Sequence, residues 1–262
     1  MRAVSVVPMV LSLACQPADR TQQFSGGKHT EAAASAEQTQ SDSQLSGLYV
    51  GTSASRHGWL LRLDFDSGVG VSYSPTGIEA LCQVQMTPSG AVSLVSATSV
   101  GVQFRFRGNR IADEIVGQLQ WIRVETGAVA ESSEMRIRWI ASRLDTTAAE
   151  PMLEGMYSSI EYHERSGDLG GLELALVPDN DSIVAIVWDY QDGLQRPYAP
   201  VGALVRGDTI RLNIRGVAYL FLRSADTLSY LGSLLGEPHT VKLPRRSSVW
   251  EALQKKPRYS CS

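Results

Sequence analysis

The sequence predicts an all-β protein built as two tandem antiparallel meander barrels or sandwiches, with a short C-terminal helix. Three observations carry that expectation. Leu45-Ser46-Gly47-Leu48-Tyr49 has a near copy in Leu153-Glu154-Gly155-Met156-Tyr157, about a hundred residues later, so the chain reads as a duplication. Each copy is followed by short apolar/polar alternations of period two, the pattern of strands with one face on a core. The 23 glycines and 11 prolines fall mostly between these runs, where they punctuate turns.

At 262 residues, 43% hydrophobic and 19% charged, the chain can bury one large core or two small ones. Its 24 Lys and Arg against 27 Asp and Glu give a formal charge of −3, with no basic stripe evident along the chain. A nucleic-acid partner is therefore not expected.

The N-terminus reads as an address. Arg2 precedes an apolar run from Ala3 to Ala14, interrupted by Pro8 and ending at Cys15. This run is too short for a helix across a hydrocarbon core of about 30 Å, but it has the length of a signal-peptide core, so residues 1–14 are expected to be removed. Ser12-Leu13-Ala14-Cys15 resembles the lipobox of bacterial lipoproteins; Ala14 and Cys15 match, whereas Ser12 stands where a branched aliphatic residue is usual. The resemblance implies that Cys15 is acylated and becomes the mature N-terminus, holding the protein to a membrane through its lipid. Gln16, which is not Asp, then implies the outer membrane, facing the periplasm or exposed at the surface. Residues 15–44 contain Phe24 as their single large apolar side chain, too little to offset ordering entropy, and are expected to form a flexible tether in which His29 is solvated.

The first β-domain is expected over residues 45–143. Trp59, Leu61, Leu63 and Phe65 alternate with Leu60, Arg62, Asp64 and Asp66; Val69, Val71 and Tyr73 follow a Ser67-Gly68 turn. Ala80, Cys82, Val84 and Met86 share one phase before Pro88-Ser89-Gly90, Val102, Phe104 and Phe106 alternate with Gln103, Arg105 and Arg107, and Met135, Ile137 and Trp139 with Arg136 and Arg138. With weaker runs at 47–52, 91–97 and 114–125 there are about eight short strands, which suit a small closed barrel because closure removes exposed edges. Arg62, Arg105, Arg107, Arg136 and Arg138 fall on the polar phase. Interspersed Asp64, Asp66, Glu114 and Glu125 favour a solvated outer face over a basic patch for an anionic partner.

A polar stretch, Arg143 to Pro151, separates the halves. In the second β-domain, 152–245, Leu172, Leu174 and Leu176 take the place of the Trp59–Phe65 strand, and Ile210, Leu212 and Ile214 alternate with Arg211, Asn213 and Arg215. Ile183 to Tyr190 is apolar on both phases, which predicts cover on both faces and makes it the candidate seam between the halves. Phe106-Arg107 with Gly117-Gln118-Leu119 matches Leu222-Arg223 with Gly232-Ser233-Leu234 in order, as an old duplication would leave. In residues 246–262, Ser248 and Glu251 form a capping box opening a helix over Val249 to Lys255, stopped by Pro257; Trp250 and Leu253 are expected to dock on a barrel end.

No nucleophile elbow, zincin helix, Cys-x-x-Cys or phosphate-cradling glycine loop is present, so no catalytic residue or cofactor is assigned. The densest constellation is Glu161-Tyr162-His163-Glu164 with Asp168. On a strand Glu161 and His163 share a face, yet zinc needs three or four ligands, so Glu161, His163 and Glu164 read as a polar loop before they read as a metal site. With Cys15 lipidated, Cys82 and Cys261 remain as a pair able to form a disulfide in an oxidising compartment, although the apolar phase of Cys82 points to burial.

Gly47-Leu48-Tyr49 and Gly155-Met156-Tyr157 resemble the Gly-x-Tyr opening of lipocalin-like barrels in bacterial lipoproteins, a general type that includes envelope-stress sensors and lysozyme inhibitors. The leading expectation is a non-catalytic envelope lipoprotein whose barrel mouths or inter-barrel groove bind an envelope protein, a glycan or a small apolar ligand. The alternatives are a structural assembly component and, further off, a hydrolase using the loop carboxylates Glu161, Glu164 and Asp168.

Overall fold

The structure, a computed structural model, describes residues 46–74, 77–141, 153–163, 168–179, 182–190, 198–234, 237–259 and 261. The signal-peptide, Cys15 and tether expectations lie outside the described residues. Within these residues the chain forms seventeen strands and one short helix.

The first eight strands are β1 (Gly47–Ser53), β2 (Gly58–Asp64), β3 (Val69–Ser74), β4 (Gly77–Met86), β5 (Ala91–Ser96), β6 (Val102–Ile111), β7 (Glu114–Arg123) and β8 (Val129–Ala141). They pair in sequence order, and β8 returns to β1, closing an antiparallel barrel. The second set is β9 (Gly155–Ser158), β10 (Glu161–His163), β11 (Asp168–Asp179), β12 (Ser182–Tyr190), β13 (Val201–Arg206), β14 (Thr209–Ile214), β15 (Val217–Ser224), β16 (Thr227–Leu234) and β17 (Glu237–Ser247). β9 pairs with both β11 and β17, so eight strands close again, while β10 is a short hairpin partner of β11. Closure in both halves sets aside the sandwich alternative.

The duplication shows in equivalent details. The β6–β7 and β15–β16 hairpins both turn on Ala-Asp, with Ala112 and Ala225 at φ 56° and 50°. The Arg110 amide donates to Gly90 O at 2.8 Å and the Arg223 amide to Asp208 O at 2.7 Å. Arg110 is therefore the counterpart of Arg223, which corrects the correspondence of Phe106-Arg107 with Leu222-Arg223 by three residues; aromatic-plus-basic order repeats on strands often enough to mislead where hairpin register does not.

Three cores organise the molecule. Tyr49, Leu61, Leu63, Phe104, Phe106 and Ile137 are among the residues that fill the first barrel, and Tyr157, Leu174, Ile210, Phe221 and Leu243 among those that fill the second. The third core lies between the barrels: Leu48, Val50, Leu60, Val71, Ile78 and Ile140 on one side meet Met156, Ala175, Val177, Val184, Ile186 and Trp188 on the other. The expected seam strand is β12, whose even-numbered residues face this third core while Ala185 and Val187 face the barrel interior. Alternation explains the split, since successive side chains point to opposite faces. Val71 and Tyr73, expected to continue the inward phase of β2, point instead to the seam, with Gly70 on the inner side. A Cβ on Gly70 would lie 2.6 Å from Arg62 O, so glycine permits the strands to approach there.

A bulge in β4 changes another expectation. Pairing with β5 shifts between Leu81 and Gln83, so Ile78 and Ala80 face outward while Leu81 and Val84 face the interior. The extra residue is Cys82, only half-buried, and it forms a disulfide with Cys261 at a Cα–Cα distance of 5.3 Å. Burial inferred from its phase with Ala80 and Val84 was wrong because the bulge breaks that phase.

The helix, α1 (Val249–Gln254), has the expected capping box: Ser248 Oγ accepts from the Glu251 amide at 3.1 Å and the Glu251 carboxylate from the Ser248 amide at 2.8 Å. It docks in the seam rather than on a barrel end, burying Val249, Ala252 and Leu253 in the third core. The buried Glu154 carboxylate accepts from the Val249 amide at 2.5 Å and from Arg245 at 3.2 Å, tying the start of α1 to the opening of the second barrel. Beyond α1 the Arg258 amide donates to Ile78 O at 2.9 Å, and Cys261 reaches Cys82. The C-terminus thus straps the second barrel onto the first.

Candidate functional site: the groove between the barrels

Along one side of the seam the two barrels leave a groove of about 300 Å³, lined by Val50 and Thr52 of β1, Glu114 of β7, Arg136 and Arg138 of β8, Val184 of β12, and Pro200-Val201-Gly202 at the start of β13. Its shape follows from the strands. On β8, Met135 and Ile137 fill the first barrel, so Arg136 and Arg138 must project outward, and register sets Thr52 opposite Arg136 and Val50 opposite Arg138. The other wall is apolar because β12 is covered on both faces.

The two arginines are held differently. Arg138 Nη1 lies 2.5 Å from Asp179 Oδ2 at the end of β11, an ion pair across the two barrels with Asp179 largely buried. It is a fixed strut. Arg136 lies 3.8 Å from Glu114 and 3.3 Å from Glu134, and its side chain is 60% exposed. Exposed pairs of this kind contribute about 0–1 kcal/mol, so an incoming carboxylate can compete for the guanidinium. A guanidinium in a groove also lined by Val50, Val184, Pro200 and Val201 suits a group with an anionic head and an apolar body.

The buried acids elsewhere serve the fold. Glu173 on β11 accepts from Tyr73 Oη at 2.6 Å across the seam, and burial raises its carboxyl pKa despite that bond. Burial likewise raises Glu154 and Glu79, while hydrogen bonds from Ser67 lower Asp64. At the hairpin between β1 and β2, Ser55 Oγ and His57 Nδ1 are 2.9 Å apart, a contact within one turn.

The densest acidic constellation in the sequence lies only partly within the described residues. Glu161 is exposed on β10, and backbone register sets His163 opposite Asp168; Glu164 lies outside the described residues. Among the described residues no three His, Cys, Asp or Glu gather closely enough to hold a metal ion. Of the polar-phase arginines, Arg105, Arg107 and Arg136 are exposed and Arg62 and Arg138 half-buried. Sequence reasoning found Arg136 and Arg138 but not Asp179 or the Pro200–Gly202 wall, which come from the other half of the chain; the doubly apolar β12 was the available signal.

No helix among the described residues is long and apolar enough to cross a membrane. Comparison of the chain with protein-family models, curated proteins and solved structures finds no match in any of the three.

Proposed function

We propose that this protein is a non-catalytic binding module of the cell envelope, tethered through a lipid on Cys15, that presents the inter-barrel groove to a carboxylate-bearing envelope partner. The observation that carries this reading is the unequal pair of arginines: Arg138 is locked to Asp179 while the neighbouring Arg136 is exposed in a groove also lined by Val50, Val184, Pro200 and Val201. A fixed strut beside an exposed, weakly paired guanidinium pre-organises recognition without positioning a nucleophile or proton-transfer pair. The lipobox-like Ser12-Leu13-Ala14-Cys15 supports the envelope location.

Affinity capture from an envelope extract tests it. The wild-type chain should retain a discrete partner that Arg136→Glu loses, while Arg105→Glu, on the far outer face, keeps it. Equal retention by all three would remove the groove from the account.

A further inference from the structure

We propose that the outer face of the second barrel, from β13 to β17, docks on an anionic lipid bilayer. The rows of this surface share no residue with the groove, and either reading can stand without the other. Strand register builds it in rows. Leu204 is opposite Arg211, and Arg211 opposite Leu220; Arg206 is opposite Thr209, followed across the sheet by Leu222, Ser229 and Lys242. Since alternate residues share a face, these side chains point outward together, interleaving leucines with cations. Leu204, Leu222 and Leu231 are 50%, 44% and 43% exposed, and Arg206, Arg211 and Lys242 are exposed beside them.

The duplication supplies an internal control. Matching the two halves through their Ala-Asp hairpins sets Leu220 against Arg107, Leu222 against Asn109 and Leu231 against Gln118. The same fold therefore carries polar residues at these positions in the first barrel, so their replacement by leucine in the second serves no packing need of the barrel. Charge selects the occupant. Arg206, Arg211 and Lys242 stand on the rows, while Arg223 pairs with Asp208 and Arg245 with Glu154, and Asp208 and Asp226 sit in hairpin turns, off the rows. Leucines that enter the headgroup boundary, with arginines reaching phosphates around them, are the side-chain chemistry of an interfacial membrane contact.

The test uses the mature chain, residues 15–262 with Cys15→Ser, so that neither an acyl anchor nor the apolar run Ala3–Ala14 contributes, sedimented with vesicles of phosphatidylcholine alone or mixed with phosphatidylglycerol. Binding to the mixed vesicles should be about tenfold tighter than to the neutral ones and weaken with salt. Leu220→Arg, Leu222→Asn and Leu231→Gln together, which restore the residues of the first barrel, should lower that binding by about tenfold or more. Arg211→Glu, a single exposed change, carries the test if the triple variant fails to fold, and should weaken binding by about tenfold. Arg105→Glu, the same charge change on the outer face of the first barrel, should leave vesicle binding unchanged, which separates this surface from the chain's total charge. Vesicle binding indifferent to both face variants, no preference for the anionic vesicles, or capture of a protein by this face in their place would overturn the proposal.

Discussion

Trp188 gives the sharpest test of the third core. It sits on β12, 1% exposed, with Tyr73 of the first barrel edge-on at 5.5 Å between ring centroids. Replacing it with Ala removes a large side chain whose surroundings, Ile186, Val71 and α1, are held by two closed barrels and can relax little. The loss should therefore fall in the range of about 3–5 kcal/mol for a buried Trp-to-Ala change. For a globular part of this size that is a fall in Tm of about 6–20 °C. Trp188→Phe should be much milder, because the indole Nε1 is buried with no hydrogen-bond partner among the described residues and its removal relieves an unsatisfied donor. Scanning calorimetry of the three proteins reads both predictions. Because the seam joins the barrels, Trp188→Ala should keep one transition that moves as a whole. A loss below about 1 kcal/mol, or a second transition while half the molecule stays at the wild-type Tm, would refute a shared core.

Other predictions test separate parts of the structure. Burial raises the pKa of Glu173 in the folded state above its unfolded value, so the fold favours the protonated form; this contribution is fully present below the unfolded pKa and is lost as pH rises through the folded pKa. Glu173→Gln should therefore flatten the pH dependence of Tm between neutral and mildly acid pH relative to wild type; an unchanged profile would remove Glu173 from the account. Tyr73→Phe withdraws a donor from the same buried carboxylate and should lower stability by about 1–3 kcal/mol at neutral pH, read by urea unfolding. Cys82→Ser with Cys261→Ser opens a crosslink spanning 179 residues and should cost about 2–5 kcal/mol; two free thiols in the denatured, unreduced mature protein would show that the bridge does not form. Glu161, His163 and Glu164 replaced together by Ala should leave partner capture intact, and loss of a measurable turnover in that folded variant would favour the hydrolase reading.

The sequence carried the strands because each alternates over one core, and it carried the duplication because Gly47-Leu48-Tyr49 and Gly155-Met156-Tyr157 open both barrels at the same point of the meander. It also marked β12 as doubly covered. What it could not show was which outward-facing residues meet. Leu60, Val71 and Tyr73 lie on phases that read as exposed or as barrel interior, yet all three pack into the seam, since a second apolar sheet lies against them. Cys82 was misplaced by a single inserted residue, which reverses every later phase of β4. The groove was half legible: Arg136 and Arg138 announced an outward phase, but Asp179, 41 residues beyond Arg138, has no local pattern that names it as a partner. The leucine face of the second barrel was hidden because its leucines alternate with core residues and the chain's total charge is negative.

The groove itself is tested most directly by photo-crosslinking in living cells, with a photoreactive amino acid at Thr52, on the groove wall, and another at Gln120, on the outside of the first barrel. The account predicts a discrete adduct from position 52 that disappears when Arg136→Glu is added, and none from position 120. No adduct from position 52, or the same adduct from both positions whatever stands at 136, would contradict it.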